Sequence, residues 1–95
     1  MDFLRFEESL SNATPPTGIS EYLLSLWYDY KNDWGKSHDI IQSLEDVNAA
    51  WIHAYLHRKE GDISNADYWY RRAGKTRPTI PLKNEWDQIA KALCS

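Results

Sequence analysis

Ninety-five residues with 11 Lys and Arg against 14 Asp and Glu carry a formal net charge of −3, which argues against a dedicated nucleic-acid binder, whose affinity comes from neutralised phosphates. A chain this short buries only about 60–65 % of its unfolded surface, so one domain over residues 1–95 is expected. The lone cysteine, Cys94, excludes a disulfide framework and a cysteine-based zinc site, and no apolar run reaches the roughly 20 residues that cross a bilayer.

The N-terminus, Met1-Asp2-Phe3-Leu4-Arg5, lacks the basic start and apolar stretch of a signal peptide, and the expected compartment is the cytoplasm. Charge is unevenly distributed. Residues 1–50 carry 3 basic and 9 acidic side chains, a net of −6, whereas residues 51–95 carry 8 basic and 5 acidic, a net of +3. The halves therefore attract each other or something else. Five Trp, six Tyr and two Phe are a heavy aromatic load, enough for a core with some left for a partner.

Residues 1–17 hold a short amphipathic piece, Phe3, Leu4, Phe6 and Leu10, before Thr14-Pro15-Pro16-Thr17-Gly18 breaks it. A first helical hairpin is expected over 20–45. Its first helix, about Ser20 to Lys31, is apolar at Leu23, Leu24, Leu26, Trp27, Tyr28 and Tyr30, leaving Glu21, Ser25 and Asp29 as a polar stripe. Asp33 caps its second, about 34–45, with Trp34, Ser37, Ile41 and Leu44 on one face and Gly35, Asp39 and Gln42 toward water.

A second hairpin is expected over 46–77. Asp46 caps a helix through Lys59 that is apolar on two faces, Val47, Ala50, Trp51, Ala54 and Tyr55 on one and Ala49, Ile52 and Leu56 on the other, as for a helix sandwiched between neighbours. Asp62 caps the next, about 63–74, with Ile63, Ala66, Trp69, Tyr70 and Ala73 inward and Asp67 and Arg71 as an outward i,i+4 pair. A last helix, in the segment 80–93, follows Pro81 with a narrow stripe of Leu82, Trp86, Ile89 and Leu93.

The fold class read from this pattern is all-α. The spacing Gly61, Ala66, Tyr70, Ala73, Pro78 marks a hairpin whose small residues let two helices approach closely, and the stretch from Asp33 aligns with that from Asp62 at a separation of 29 residues. On these residues, with Ala54 at a small first-helix position, the chain resembles the tetratricopeptide-repeat family over about residues 20–78. It departs from that pattern at Ala50, His53 and His57 and in its period, which is shorter than the family's 34. The run Ala50-Trp51-Ile52-His53-Ala54-Tyr55-Leu56-His57-Arg58-Lys59-Glu60-Gly61-Asp62 is also similar to a stretch found in small bacterial proteins of no assigned activity.

The repeat resemblance implies about two stacked antiparallel hairpins with a C-terminal capping helix, and a scaffold that binds a protein, a peptide or its own copy through the inward side of each first helix. That side maps to Asn48, Trp51, Tyr55, Arg58 and Lys59. Trp51 and Tyr55 stand where some members carry the Lys and Asn that grip a peptide's terminal carboxylate. A non-enzymatic interaction module, with no cofactor, is the leading expectation; a homodimer overlaps it, and neither nucleic acid nor membrane is an expected partner.

Two further clusters carry chemistry. Arg71, Arg72, Lys75 and Arg77 form a basic patch near Tyr68 and Trp69, read either as a site for acidic peptides or single strands or as charges that complement a helix C-terminus and the acidic half. On the third helix, Asp46, His53, His57 and Glu60 share a stripe, and His at i and i+4 is metal-ligand spacing. Without further ligands, a hydrogen-bonded seam is the favoured reading, and His38 joins the pair only if the fold brings it across. The same His pair, oriented by Glu60 or Asp62, is the alternative basis for a small metal-binding or His-based enzyme, although no activated nucleophile or phosphate-cradling loop is present.

Overall fold

The structure, a computed structural model, describes residues 1–94, and each regular element in it is an α-helix. The helices are α1 (Phe3–Ser9), α2 (Glu21–Tyr30), α3 (Trp34–Ile41), α4 (Val47–Glu60), α5 (Ile63–Arg72) and α6 (Leu82–Leu93). Short polar side chains set where five of them begin. Asp2, Ser20, Asp33, Asp46 and Asp62 each accept the backbone N–H three residues on, from Arg5, Leu23, Lys36, Ala49 and Asn65, satisfying a donor the first turn leaves unpaired. α6 starts instead behind Pro81, whose fixed φ suits a helix entrance.

Two hairpins, α2–α3 and α4–α5, are closed by the same turn. Asn32 and Gly61 both take a left-handed backbone, with φ of 65° and 87°. Their N–H groups donate to Asp29 O and Arg58 O, while the next residues, Asp33 and Asp62, donate to Tyr28 O and His57 O. Those aspartates then cap the following helix. Every partner is offset by 29 residues, so the sequence repeat has a physical counterpart in two helix-ending turns of identical hydrogen bonding. Gly74, at φ 72°, ends α5 in a related way, with Lys75 N donating to Tyr70 O.

α4 is the central element and packs against α2, α3, α5 and α6, as its two apolar faces require. The main core joins Phe6 of α1, Leu23, Leu26 and Trp27 of α2, Ile41 of α3, Ile52, Tyr55 and Leu56 of α4, and Trp86 and Ile89 of α6. Between α4 and α5, which lie in close contact, the buried apolar cluster is smaller, Ala54 and Ala66 beside Tyr70, and missing side-chain bulk lets the backbones close up. The indole N–H groups tie elements together: Trp27 donates to Ser9 O, Trp34 to Leu56 O and Trp86 to Leu26 O, at 3.2, 2.9 and 3.1 Å. A buried indole needs such a partner, and much of the aromatic load is used this way.

The helix α3 stops at Ile41, short of residue 45, because Gln42 to Leu44 turn toward the Asp46 cap; Leu44 is half-buried outside the helix. Of the polar stripe, Ser25 and Asp29 are buried: Ser25 Oγ donates to Ser37 at the α2–α3 contact, and Asp29 receives Tyr55 and Lys59. Val47 and Ile63, expected inside, lie exposed at the starts of their helices, where neighbours no longer cover them. Asp67 pairs with Arg77, at 2.8 Å, rather than with Arg71. Among the described residues no helix is long and apolar enough to cross a membrane.

Candidate functional site

α4 presents two chemically different sides. The side expected to face a partner carries Asn48, Trp51, Tyr55, Arg58 and Lys59, and most of it is engaged within the fold. Tyr55 is buried and its hydroxyl donates to Asp29 Oδ2 at 2.9 Å, while Lys59 Nζ reaches Asp29 Oδ1 at 2.9 Å. Arg58 Nη1 donates to Glu85 Oε1 at 2.9 Å and its second terminal nitrogen to the Ile80 carbonyl. Glu85, fully buried on α6, also receives Tyr70 Oη at 2.7 and 2.6 Å and the Trp51 indole at 3.4 Å. Two buried carboxylates thus each gather a cation and a tyrosine, which is what their desolvation requires. Burial and the adjoining carboxylates push both tyrosine hydroxyls well above their usual range.

Asn48 is half-buried near the start of α4. Beyond Tyr55 and Lys59 a cavity of about 240 Å³ opens between α2, α4 and α6, walled by Tyr30, Leu82 and Trp86.

The basic cluster is spread over an aromatic surface. The Arg72 guanidinium lies 5.8 and 5.2 Å from the Tyr68 and Trp69 rings, and Lys75 Nζ lies 4.0 Å above Trp51. Arg77 is held by Asp67, and Arg71 is exposed. The chain's own π-faces and one carboxylate therefore occupy three of its four cations.

The other side of α4 carries His53 and His57, one turn apart and both buried. Packing of α3 on α4 brings His38 across, and one ring nitrogen from each of the three imidazoles lies within 4.8 Å of the others. His38 Nε2 is 2.9 Å from His53 Nε2, so one of those rings donates to the other. Ring centroids are 4.6 Å apart for His38 and His53, 4.8 Å for His53 and His57, and 5.3 Å for His38 and His57. Two indoles clamp the cluster. Trp34 stacks on His38 at 4.9 Å and Trp69 on His53 at 4.0 Å.

The third imidazole is oriented from behind. Glu60 Oε1 lies 2.6 Å from His57 Nδ1, which directs Nε2 of that ring away from the carboxylate, and Asn65 Nδ2 of α5 stands 3.4 Å from that Nε2. Asp46 takes no part: it caps α4 and accepts the Tyr22 hydroxyl. Nor does Asp62 orient an imidazole, since it caps α5 and receives Asn65. Burial, then the neighbouring His38 and His57, lowers His53 to about 4, and burial together with His57 lowers His38 below its ordinary value. Both rings are thus held neutral at physiological pH; one of the two facing Nε2 atoms carries the shared proton, and a shift of that ring to its Nδ1–H tautomer frees both for a Lewis acid.

The His53–His57 spacing and Glu60 were legible in the sequence, whereas Asn65, Trp34 and Trp69 were not recognised as neighbours of the site. Their signal was weak: Asn65 and Trp69 are i,i+4 on α5, as Trp34 and His38 are on α3, which puts each pair on one face. Comparison of the chain with protein-family models, curated proteins and solved structures finds no match.

Proposed function

We propose that this protein binds one divalent transition-metal ion through His38, His53 and His57. The observation that carries the reading is the convergence of three imidazoles from two hairpins on one point, with ring nitrogens within 4.8 Å of one another. A set of imidazole nitrogens with no thiolate suits zinc, copper, nickel or cobalt rather than the oxygen-seeking magnesium and calcium. A metal at about 2.1 Å from each of two tetrahedral ligands separates them by about 3.4 Å, so His38 and His53 need part by only a few tenths of an ångström. Glu60 on His57 is the kind of carboxylate that fixes a ligand's tautomer and orientation.

The test is zinc titration of the full chain by calorimetry and melting. Wild type should bind one equivalent, and at a hundredfold excess over Kd gain about 2.7 kcal/mol, a rise on the order of 10 °C or more in Tm. His38→Ala and the His53→Ala, His57→Ala pair should lose it. Identical melting of the wild type in zinc and in chelator sinks the proposal.

A second reading keeps the interaction module, favoured by the cavity beside Tyr55 and Lys59. The repeated hairpin turn supports the tetratricopeptide-like scaffold on which that reading rests. Tyr30, an exposed wall of the cavity, gives its test: Tyr30→Glu should release a bound partner without changing helicity. A monomer that retains nothing in either form removes this reading.

A further inference from the structure

Resting on the metal-binding reading, we infer that the ion at His38, His53 and His57 keeps one coordination position outside the protein's own ligand set, which takes water or a small exogenous anion, with Asn65 as the hydrogen-bond donor beside it.

Among the described residues, three donors converge here and no fourth His, Cys, Asp or Glu joins them within the same radius. Zinc in a structural site is closed by four protein ligands, whereas three leave a position for water or a substrate. The nearby carboxylates are committed elsewhere. Glu60 engages His57 through Nδ1, the nitrogen on the far side of the ring from Nε2, and Asp62 caps α5 and holds Asn65. Their oxygens form a separate group with His57, all within 4.8 Å of one another, and a move into the three-histidine set would break those bonds.

Trp34 lies flat on His38 and Trp69 flat on His53, which limits how far these two rings tilt. The opening is on one side. His53 and His57 are buried, whereas His38 and Asn65 are half-exposed, so approach from solvent runs between α3 and the first turn of α5. Asn65 is the polar side chain on that path, its amide nitrogen 3.4 Å from His57 Nε2 and within reach of a group bound next to that nitrogen. A side-chain amide cannot deprotonate near neutral pH, and it offers an N–H to an anion.

The experiment uses the full chain loaded with one equivalent of copper(II) or cobalt(II), with loading established by calorimetry before any ligand is added, and azide as the probe. In the wild type, azide should generate a charge-transfer band on copper and alter the visible spectrum of cobalt in a saturable, one-to-one titration. Asn65→Ala, checked for unchanged helicity, should load metal within about threefold of wild type yet bind azide about tenfold more weakly, the loss of one hydrogen bond to a charged ligand. Full loading with no spectral response to saturating azide overturns the open position. Loss of metal from Asn65→Ala overturns the role given to Asn65 by making it a ligand. Failure to load wild type at all is seen at the first step and overturns the metal reading itself.

Discussion

The two sides of α4 solve the burial of polar groups in opposite ways. Toward α2 and α6, Tyr55, Arg58 and Lys59 meet Asp29 and Glu85, so each buried carboxylate has a cation and a hydroxyl, and the arrangement is complete within the chain. Toward α3 and α5, three imidazoles face one another, with Glu60 bonded behind His57 and Asp62 close to both. Opposite charges brought together lock a structure, whereas neutral donors brought together leave lone pairs that a cation can use. The aromatic and cationic face that reads as a binding surface in one dimension has most of its polar groups paired within the chain, and the histidine stripe gains a third imidazole, His38, from α3.

The largest effect that sharpens this contrast is expected at Glu85. Glu85→Ala leaves Arg58 and Tyr70 without their shared carboxylate, and urea denaturation should show a loss of about 3–5 kcal/mol, typical of breaking a buried pair. His38→Ala, measured without metal, should cost under about 1.5 kcal/mol, because it removes one partly exposed hydrogen-bonded ring. A His38 cost equal to that of Glu85 would erase the distinction between the sides.

Acid is the next probe. His53 protonates at an ordinary 6.5 when unfolded but at about 4 when folded, so between these values the unfolded chain binds more protons. Its contribution is therefore complete above about pH 6.5 and is lost as pH falls toward 4, at most about 3 kcal/mol from this ring. Chemical denaturation of metal-free protein across that window checks it, and His53→Asn should flatten the slope. An unchanged profile in that variant would assign the acid sensitivity elsewhere.

Smaller effects separate binding from stability. Glu60→Gln should weaken zinc about 10- to 100-fold by calorimetry while moving metal-free stability by about 0.5 kcal/mol or less, because Glu60 is exposed and acts through the orientation of His57. Tyr55→Phe, on the opposite side, should do the reverse. It removes one hydrogen bond to Asp29, costing about 1 kcal/mol in denaturation, and leaves zinc affinity unaltered. If Tyr55→Phe weakened zinc tenfold, the two sides would be coupled through α4.

Much of the helical order was legible because its signals are local. Aspartate or serine before an apolar period predicts a capped helix, and Asp33, Asp46 and Asp62 all do cap one. Gly61 and Gly74 mark left-handed helix ends, but Asn32 does the same work at the first turn without being a glycine, and only the 29-residue offset hinted at it. The α3 boundary was overrun because Leu44 continues the apolar period of Trp34, Ser37 and Ile41 beyond the helix. The partners of Ser25 and Asp29 were hidden for a different reason: the groups that satisfy this polar stripe, Ser37, Tyr55 and Lys59, lie 12, 26 and 30 residues away.

By itself the sequence determined the all-α class, the starts of most helices and the placing of His53 and His57 on one stripe, because capping and helical period act over three or four residues. Only the tertiary structure decided which polar groups meet. His38 lies 15 residues from His53, Glu85 27 from Arg58, and Asp29 30 from Lys59. Contacts at those separations are set by how α4 is sandwiched among its neighbours, and the choice between a seam and a ligand set rests on one imidazole that local spacing does not place.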